Sequence, residues 1–298
     1  MNVVAAPVRR STLALVRDVL GLFKLRIGVL ITVTALVGML LMPGTKPHWP
    51  QTLVLALSVL VASSGAGAFN QYYERNVDHL MARTRGRAFV TGALTASTLW
   101  LWVIGAMLVA AVAIAAWVLN PVSALFVFLG AFFYGVVYTV WMKRRTWWNI
   151  VVGGLAGSFA VLAGAAAVDP ALGPLPLLLA LVLFLWTPPH FWSLAIAYRA
   201  EYQAAGVPML PVVAGEARAA RVVLLATVLL VAASLLPMAF GAGWIYLAGA
   251  LSGGGYFIFR AKALARAPSR QSAIACFLAS LCQLSLLLIG ASIDSMWR

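Results

Sequence analysis

Nine apolar runs divide the chain, at about 25–42, 52–73, 94–117, 121–141, 148–168, 174–197, 220–240, 243–260 and 272–292. Their lengths match the roughly 20 residues that cross a bilayer core as a helix. Within a run, apolar and polar positions do not alternate, as the strands of a lipid-spanning β-barrel would require. Helix-stopping residues fill the connections: Pro43-Gly44 with Pro47 and Pro50, Asn120-Pro121, Asp169-Pro170, Gly241 to Gly243, and Ala267-Pro268. The pattern predicts an all-α, polytopic membrane bundle of about nine transmembrane helices over residues 24–298. Residues 1–23 interleave Arg9, Arg10, Arg17 and Asp18 with leucines and valines. No clean signal-peptide core survives these charges, so the segment reads as an amphipathic helix on the cytoplasmic interface. A short mitochondrial transit sequence is the other reading.

Composition agrees. Hydrophobic residues make up 63% of the 298 positions and charged residues 9%, too few charges to cover a water-soluble globule. The formal net charge is +14. In a soluble chain that would point to nucleic acid. Here the basic residues lie between apolar runs, so they set orientation and attract anionic lipid, and no nucleic-acid partner is expected. Of the 21 Lys and Arg residues, all but Lys46 and Arg298 fall on alternate connections. The positive-inside rule then puts the amino terminus in the cytoplasm and, with nine spans, the carboxyl terminus outside. Cys276 and Cys282 sit in one apolar run and form no disulfide framework.

Acidic residues are scarce, so their positions matter. Asn70, Glu74 and Asp78 are spaced four apart at the inner end of the second run. If the helix continues, they stack on one face. Two carboxylates and an amide make an oxygen-only donor set suited to Mg²⁺, which binds through few protein ligands and shares substrate phosphates. Arg83, Arg85 and Arg87 follow, and guanidinium groups match phosphate oxygens. The alternative is a solvated loop in which Glu74 and Asp78 pair with Arg75 and Arg83.

Two other segments reach the same side. Trp186-Thr-Pro-Pro-His190-Phe191-Trp carries a polar ring beside two prolines that would kink or break a helix at membrane depth. On a continuous helix Glu201 would share a face with His190, three turns along. His190 reads equally as a residue bonded to carbonyls that the prolines free. Tyr134 and Tyr138, one turn apart, precede the basic triplet Lys143-Arg144-Arg145. This reads either as an aromatic belt with a topology signal or as part of a diphosphate site.

The pattern N-x-x-x-E-x-x-x-D-x-x-x-x-R-T at 70–84 resembles the aspartate-rich signature of the UbiA superfamily of intramembrane prenyltransferases. W-T-P-P-H-F-W-S-L-A at 186–195, E-Y-Q-A-A-G-V-P-M-L-P-V-V at 201–213 and Y-T-x-x-M-K-R-R-T-x-W-N at 138–149 are similar to its haem-farnesylating branch. The resemblance implies nine helices around a central cavity, with two acidic motifs facing across it. It implies that Asn70, Glu74, Asp78 and Glu201 hold Mg²⁺ and carry catalysis. Arg83, Arg87, Lys143 and Arg144 would bind diphosphate. Tyr72, Tyr134, Tyr138, His190, Phe191 and Tyr198 would line the substrate and haem pocket. The implied substrates are farnesyl diphosphate and haem b, the product haem O. The implied setting is the bacterial inner membrane rather than the mitochondrial one, beside haem A synthase or oxidase assembly proteins. The chain departs from the pattern at Ala88, where many relatives have proline, and at Glu201, which stands as a lone carboxylate in the second motif. Another prenyl acceptor, such as a quinone-precursor aromatic acid or a chlorin, or a transporter with a basic vestibule, are the rival readings.

Overall fold

A computed structural model of the protein describes residues 11–297. The first ten residues of the expected amphipathic segment, and Arg298, lie outside that range. The remainder of the segment forms helix α1, Thr12–Leu22, whose first turn Ser11 caps by accepting from the Ala14 N–H. Leu13, Leu15, Val16 and Leu20 face outward from it.

Twelve further helices follow. They are α2 (Leu25–Leu41), α3 (Trp49–Glu74), α4 (Leu99–Val118), α5 (Pro121–Phe132), α6 (Asn149–Gly153), α7 (Leu155–Val168), α8 (Pro174–Ala197), α9 (Arg199–Ala204), α10 (Leu210–Ala214), α11 (Glu216–Ala233), α12 (Trp244–Arg266) and α13 (Arg270–Met296). α5 runs on as a π-helix over Phe133–Met142. Among the described residues seven helices are long and apolar enough to cross a membrane, and eight if the α1–α2 pair, bent by 42°, is one span. Nine spans were expected. α12 occupies the eighth run, but Arg260, Lys262 and Arg266 lower the apolar content of its carboxyl-terminal half.

Two expectations about helix continuity change. α3 ends at Glu74, and Asp78 opens a separate 3₁₀ turn, Asp78–Leu80. The Val77 N–H donates to the Glu74 carbonyl, tightening the last turn. Asn70, Glu74 and Asp78 therefore do not share one helical face. α8, in contrast, passes through Pro188 and Pro189 and continues to Ala197. The break comes at Tyr198 (φ −121°, ψ 28°), which puts Glu201 on the separate α9 and ends the face it would have shared with His190.

In lipid, helices associate through close packing rather than water exclusion, and small residues at crossings let backbones touch. A Cβ on Gly164 of α7 would run into the Ala35 carbonyl of α2, and one on Gly38 into the Val161 carbonyl. α12 and α13 meet the same way, at Gly249 against the Leu286 carbonyl and Gly290 against Ile245. Polar ties close the ends. Asp294 of α13 accepts the Tyr246 N–H (2.8 Å) at the start of α12, and the Tyr246 hydroxyl donates to the Ser234 carbonyl (2.8 Å) after α11. Asn120 caps α5 through the Ser123 N–H (2.9 Å) and donates to the Ala166 carbonyl of α7 (2.7 Å).

Because the α2–α7 crossing is backbone on backbone, Gly164→Val is expected to cost about 3 kcal/mol or more, the upper end of overpacking effects. Gly105→Ala, within α4 on an exposed face with nothing near the added carbon, should not destabilise the chain and should gain roughly 0.5–1 kcal/mol, because alanine suits a helix interior better than glycine. Thermal unfolding in detergent compares the two.

Candidate functional site: a cationic head on an apolar chamber

One chamber, enclosing about 280 Å³, opens among α2, α3, α5, α7 and α8 and under the segment after α3. Its polar end is assembled from four chain regions. Asn70, buried on α3, accepts from Lys24 Nζ through Oδ1 (2.9 Å) and donates through Nδ2 to Glu74 Oε2 (3.2 Å) and Thr139 Oγ1 (3.1 Å). Lys24 also donates to the Tyr134 hydroxyl (3.1 Å). Lys24 stands at the α1–α2 corner in the left-handed region, φ 48°. Gln71 holds that corner in place, its amide donating to the Gly21 and Leu22 carbonyls, both at 3.0 Å.

The two carboxylates are buried and each is neutralised. Glu74 pairs with Lys143. Asp78 pairs with Arg87 at 2.5 Å, and its carbonyl accepts from Thr84 Oγ1 (2.7 Å). Burial lowers the Lys143 pKa, and Glu74 opposes that shift. Burial raises the Tyr202 hydroxyl pKa, opposed by Arg83, which shares a hydrogen bond with it, while Glu74 and Glu201 both push it further up. Tyr202 thus lies within electrostatic reach of both acidic motifs.

The π-helix decides which side chains meet. Its i→i+5 bonds, here Lys143 N–H to the Tyr138 carbonyl (2.9 Å), put between about four and five residues in each turn. Tyr134, Tyr138 and Lys143, in steps of four and five, therefore recur on one face. In an α-helix of 3.6 residues per turn, Lys143 would lie opposite Tyr134. The tyrosine rings stack, with centroids 5.7 Å apart. Thr139 Oγ1 donates to the Tyr134 carbonyl (2.8 Å) while accepting from Asn70, so one hydroxyl ties the wide turn to α3. Gly153 and Gly154 leave room for this face. A Cβ there would sit 2.8 Å from the Tyr138 ring and from Thr187 Cβ respectively.

Of the residues expected from sequence, Asn70, Asp78, Arg83, Arg87, Tyr134, Tyr138, Lys143 and Phe191 line the chamber. Glu74 stands directly behind Lys143 and outside the lining. Glu201 also lies outside it, with Oε2 buried and without a hydrogen-bond partner. Four others are placed elsewhere. Tyr72 packs edge-on against Phe89 and under Arg75. Arg144 is exposed in the turn after the π-helix. Tyr198 lies beneath the Arg270 guanidinium. His190 is stacked between Trp186 (4.0 Å) and Phe277 (4.5 Å), its Nδ1 2.7 Å from Ser280 Oγ. That histidine serves the α8–α13 contact, because aromatic faces and a hydroxyl satisfy its ring there. Lys24, Thr139 and Tyr202 were not anticipated. Lys24 had been counted only as a topology charge, although 24, 27, 28 and 31 fall on one helical face.

Lys24, Arg83, Arg87 and Lys143 outnumber the two carboxylates beside them, so the head favours an anion rich in oxygen. Among the described residues no group of three His, Cys, Asp or Glu could hold a metal alone. The carboxylates of Glu74 and Asp78, the Asn70 amide and the partnerless Glu201 Oε2 are oxygen donors of the kind a hard divalent ion takes, with water and substrate phosphate completing the shell.

A sequence model of the UbiA prenyltransferase family matches residues 31–281. The chain belongs to that family. Two relatives from Paramagnetospirillum magneticum are protoheme IX farnesyltransferases 2 and 1. The first is 55% identical, over 92% of this chain and 95% of the relative; the second is 46% identical, over 94% and 99%. The fold is shared with digeranylgeranylglyceryl phosphate synthase (TM-score 0.80, 15% identity, 96% of this chain and 100% of that one). It is shared too with a UbiA homologue from Archaeoglobus fulgidus bound to DMAPP and Mg²⁺ (TM-score 0.68, 17% identity, 91% and 99%). The acidic and basic residues of this UbiA family member thus sit in an established prenyltransferase fold.

If Thr139 sets the register of the head, Thr139→Val should weaken binding of inorganic pyrophosphate about tenfold and destabilise the fold by roughly 1–3 kcal/mol, the cost of orphaned buried polar groups. Thr139→Ser should restore both. Calorimetric titration and thermal unfolding read the two effects.

Proposed function

We propose that the protein transfers the farnesyl group of farnesyl diphosphate to a vinyl group of haem b, releasing pyrophosphate and giving haem O. The observation that carries this reading is the joining of a cationic, carboxylate-bearing head to an apolar chamber. The relatives' names supply the acceptor and the donor chain. Lys24, Arg83, Arg87 and Lys143 bind the diphosphate oxygens, and Asn70 keeps Lys24 and Glu74 in register. Asp78 and Glu74, together with Asn70 and Glu201, would hold Mg²⁺, which when bound would supply Lewis-acid neutralisation of the leaving diphosphate.

When the C1–O bond of the donor breaks, its electron pair leaves with pyrophosphate and positive charge develops on the allylic carbons. The stacked Tyr134 and Tyr138 rings lie beside the head and stabilise that charge, at about 0.5–2 kcal/mol per ring. The vinyl carbon then bonds to C1. Water adds its oxygen to the resulting haem-side cation and gives up a proton, leaving the hydroxyl. Apolar walls keep water from capturing the farnesyl cation first. Thr187, Phe191 and Leu194 of α8 form a further wall of the chamber, where the acceptor would lie against Phe191 and Leu194.

The distribution of basic residues supports a plasma-membrane orientation with the amino terminus in the cytoplasm, where soluble pyrophosphate leaves the head. The bacterial inner membrane is the proposed location, and haem A synthase or an oxidase assembly factor the proposed recipient of the product.

Purified protein given haem b, farnesyl diphosphate and Mg²⁺ should form a species of the mass of haem O. Asp78→Asn should lower turnover at least ~10²-fold, the scale of losing a charge-stabilising group, without loss of haem binding. EDTA should stop the reaction and added Mg²⁺ restore it. Full turnover by Asp78→Asn would remove that residue from the chemistry. A prenylated quinone precursor in place of haem O would move the acceptor to another class.

A further inference from the structure

Away from its head the chamber continues as an arm with mainly apolar walls. On α3 the arm is walled by Val59, Ala62, Ser63 and Ala66 below Asn70, positions that share one helical face. From Asn70 down to Val59 is 11 residues, about 16 Å at ~1.5 Å per residue. The opposite wall is α5, from Tyr134 down through Gly130 to Phe126. α3 and α5 point the same way, and Asn70 bonds to Thr139 at the head, so Val59 and Phe126 lie at similar depth.

Among the described residues the chamber's lining ends at Val59 and Phe126. One turn past Val59, Leu55 is fully buried. On the other two walls α2 and α7 touch backbone to backbone at Ala35–Gly164 and Gly38–Val161, and none of these four residues lines the chamber. Phe126 is wedged. Its ring stacks on Phe159 (6.1 Å, 24°), which in turn packs edge-on against Phe133 (5.0 Å).

We infer that Phe126 is the length stop of the prenyl donor: the chain lies in the α2–α3–α5–α7 arm with its tail against this ring, and the acceptor takes the α8 side. The inference rests on the prenyl-transfer reading above and adds the residue that selects the chain. Three isoprene units, each advancing over four carbon–carbon bonds of about 1.5 Å, extend roughly 15 Å and fill the arm. A fourth unit adds roughly 5 Å and meets Phe126 and the α2–α7 crossing.

The test is a binding series of geranyl, farnesyl and geranylgeranyl diphosphates with Mg²⁺ and no acceptor, read by competition. In the native protein affinity should rise from the ten-carbon to the fifteen-carbon chain and fall at twenty. Phe126→Ala should raise the twenty-to-fifteen-carbon affinity ratio at least tenfold. Ala131→Val, which narrows the arm midway, should lower the fifteen-to-ten-carbon ratio about tenfold. Native protein that binds the twenty-carbon chain as well as the fifteen-carbon one overturns the stop, whichever variants fold. So does a ratio in Phe126→Ala within twofold of native. The same samples given haem b separate the two claims: absence of haem O in native protein sinks the haem-farnesylation reading, while the binding series still decides the stop.

Discussion

Two buried carboxylates held against two cations at one end of an apolar bundle are the constraint around which the rest is arranged. An isolated charge in such surroundings costs several kcal/mol, and removing one partner of a buried pair leaves that cost uncompensated. Glu74 with Lys143, and Asp78 with Arg87, meet the requirement without exhausting it, because Arg83 adds a further guanidinium to the chamber lining. The head of the chamber thus favours an anion. Asn70 makes this a single network, touching Lys24, Glu74 and Thr139 at once.

Such a network needs side chains from α2, α3, the π-helix and the segment after α3 to converge, and several backbone departures serve that end. The left-handed Lys24 turns the chain between α1 and α2 so that its amine reaches Asn70. The π-helix brings Lys143 round to the face of Tyr134 and Tyr138. π-turns are uncommon and often mark functional sites. Here the local reason is visible, since one extra residue per turn converts opposite faces into one. The end of α3 at Glu74 frees Asp78 to turn toward Arg87 rather than continue along the helix.

The apolar part follows a different rule. Glycines at the α2–α7 and α12–α13 crossings bring backbones into contact and leave no space between them, while small residues along α3 face an open arm. Whether a small residue closes a gap or lines one depends on what the neighbouring helix places opposite it. That is a property of pairs of helices and not of either run alone.

The chemistry of the head was legible from residue type and spacing. Acidic residues are rare in this chain, so their appearance at 70–78, followed by arginines, marked the polar end of the chamber. Phe191 and the two tyrosines were legible for the same reason, as aromatic residues beside those charges. Tyr72, His190 and Tyr198 were misplaced because each found its partner on an element remote in sequence: Phe89 for Tyr72, Phe277 and Ser280 for His190, Arg270 for Tyr198. Sequence by itself determined that the chain is an α-helical membrane protein with an oxygen-ligand, cation-rich rim, since lipid admits few folds and tolerates charge only where it is used. Tertiary structure alone decided which side chains share the chamber and how deep it runs, because helix breaks, a wide π-turn and glycine-mediated crossings rotate and translate faces by amounts that local spacing does not encode.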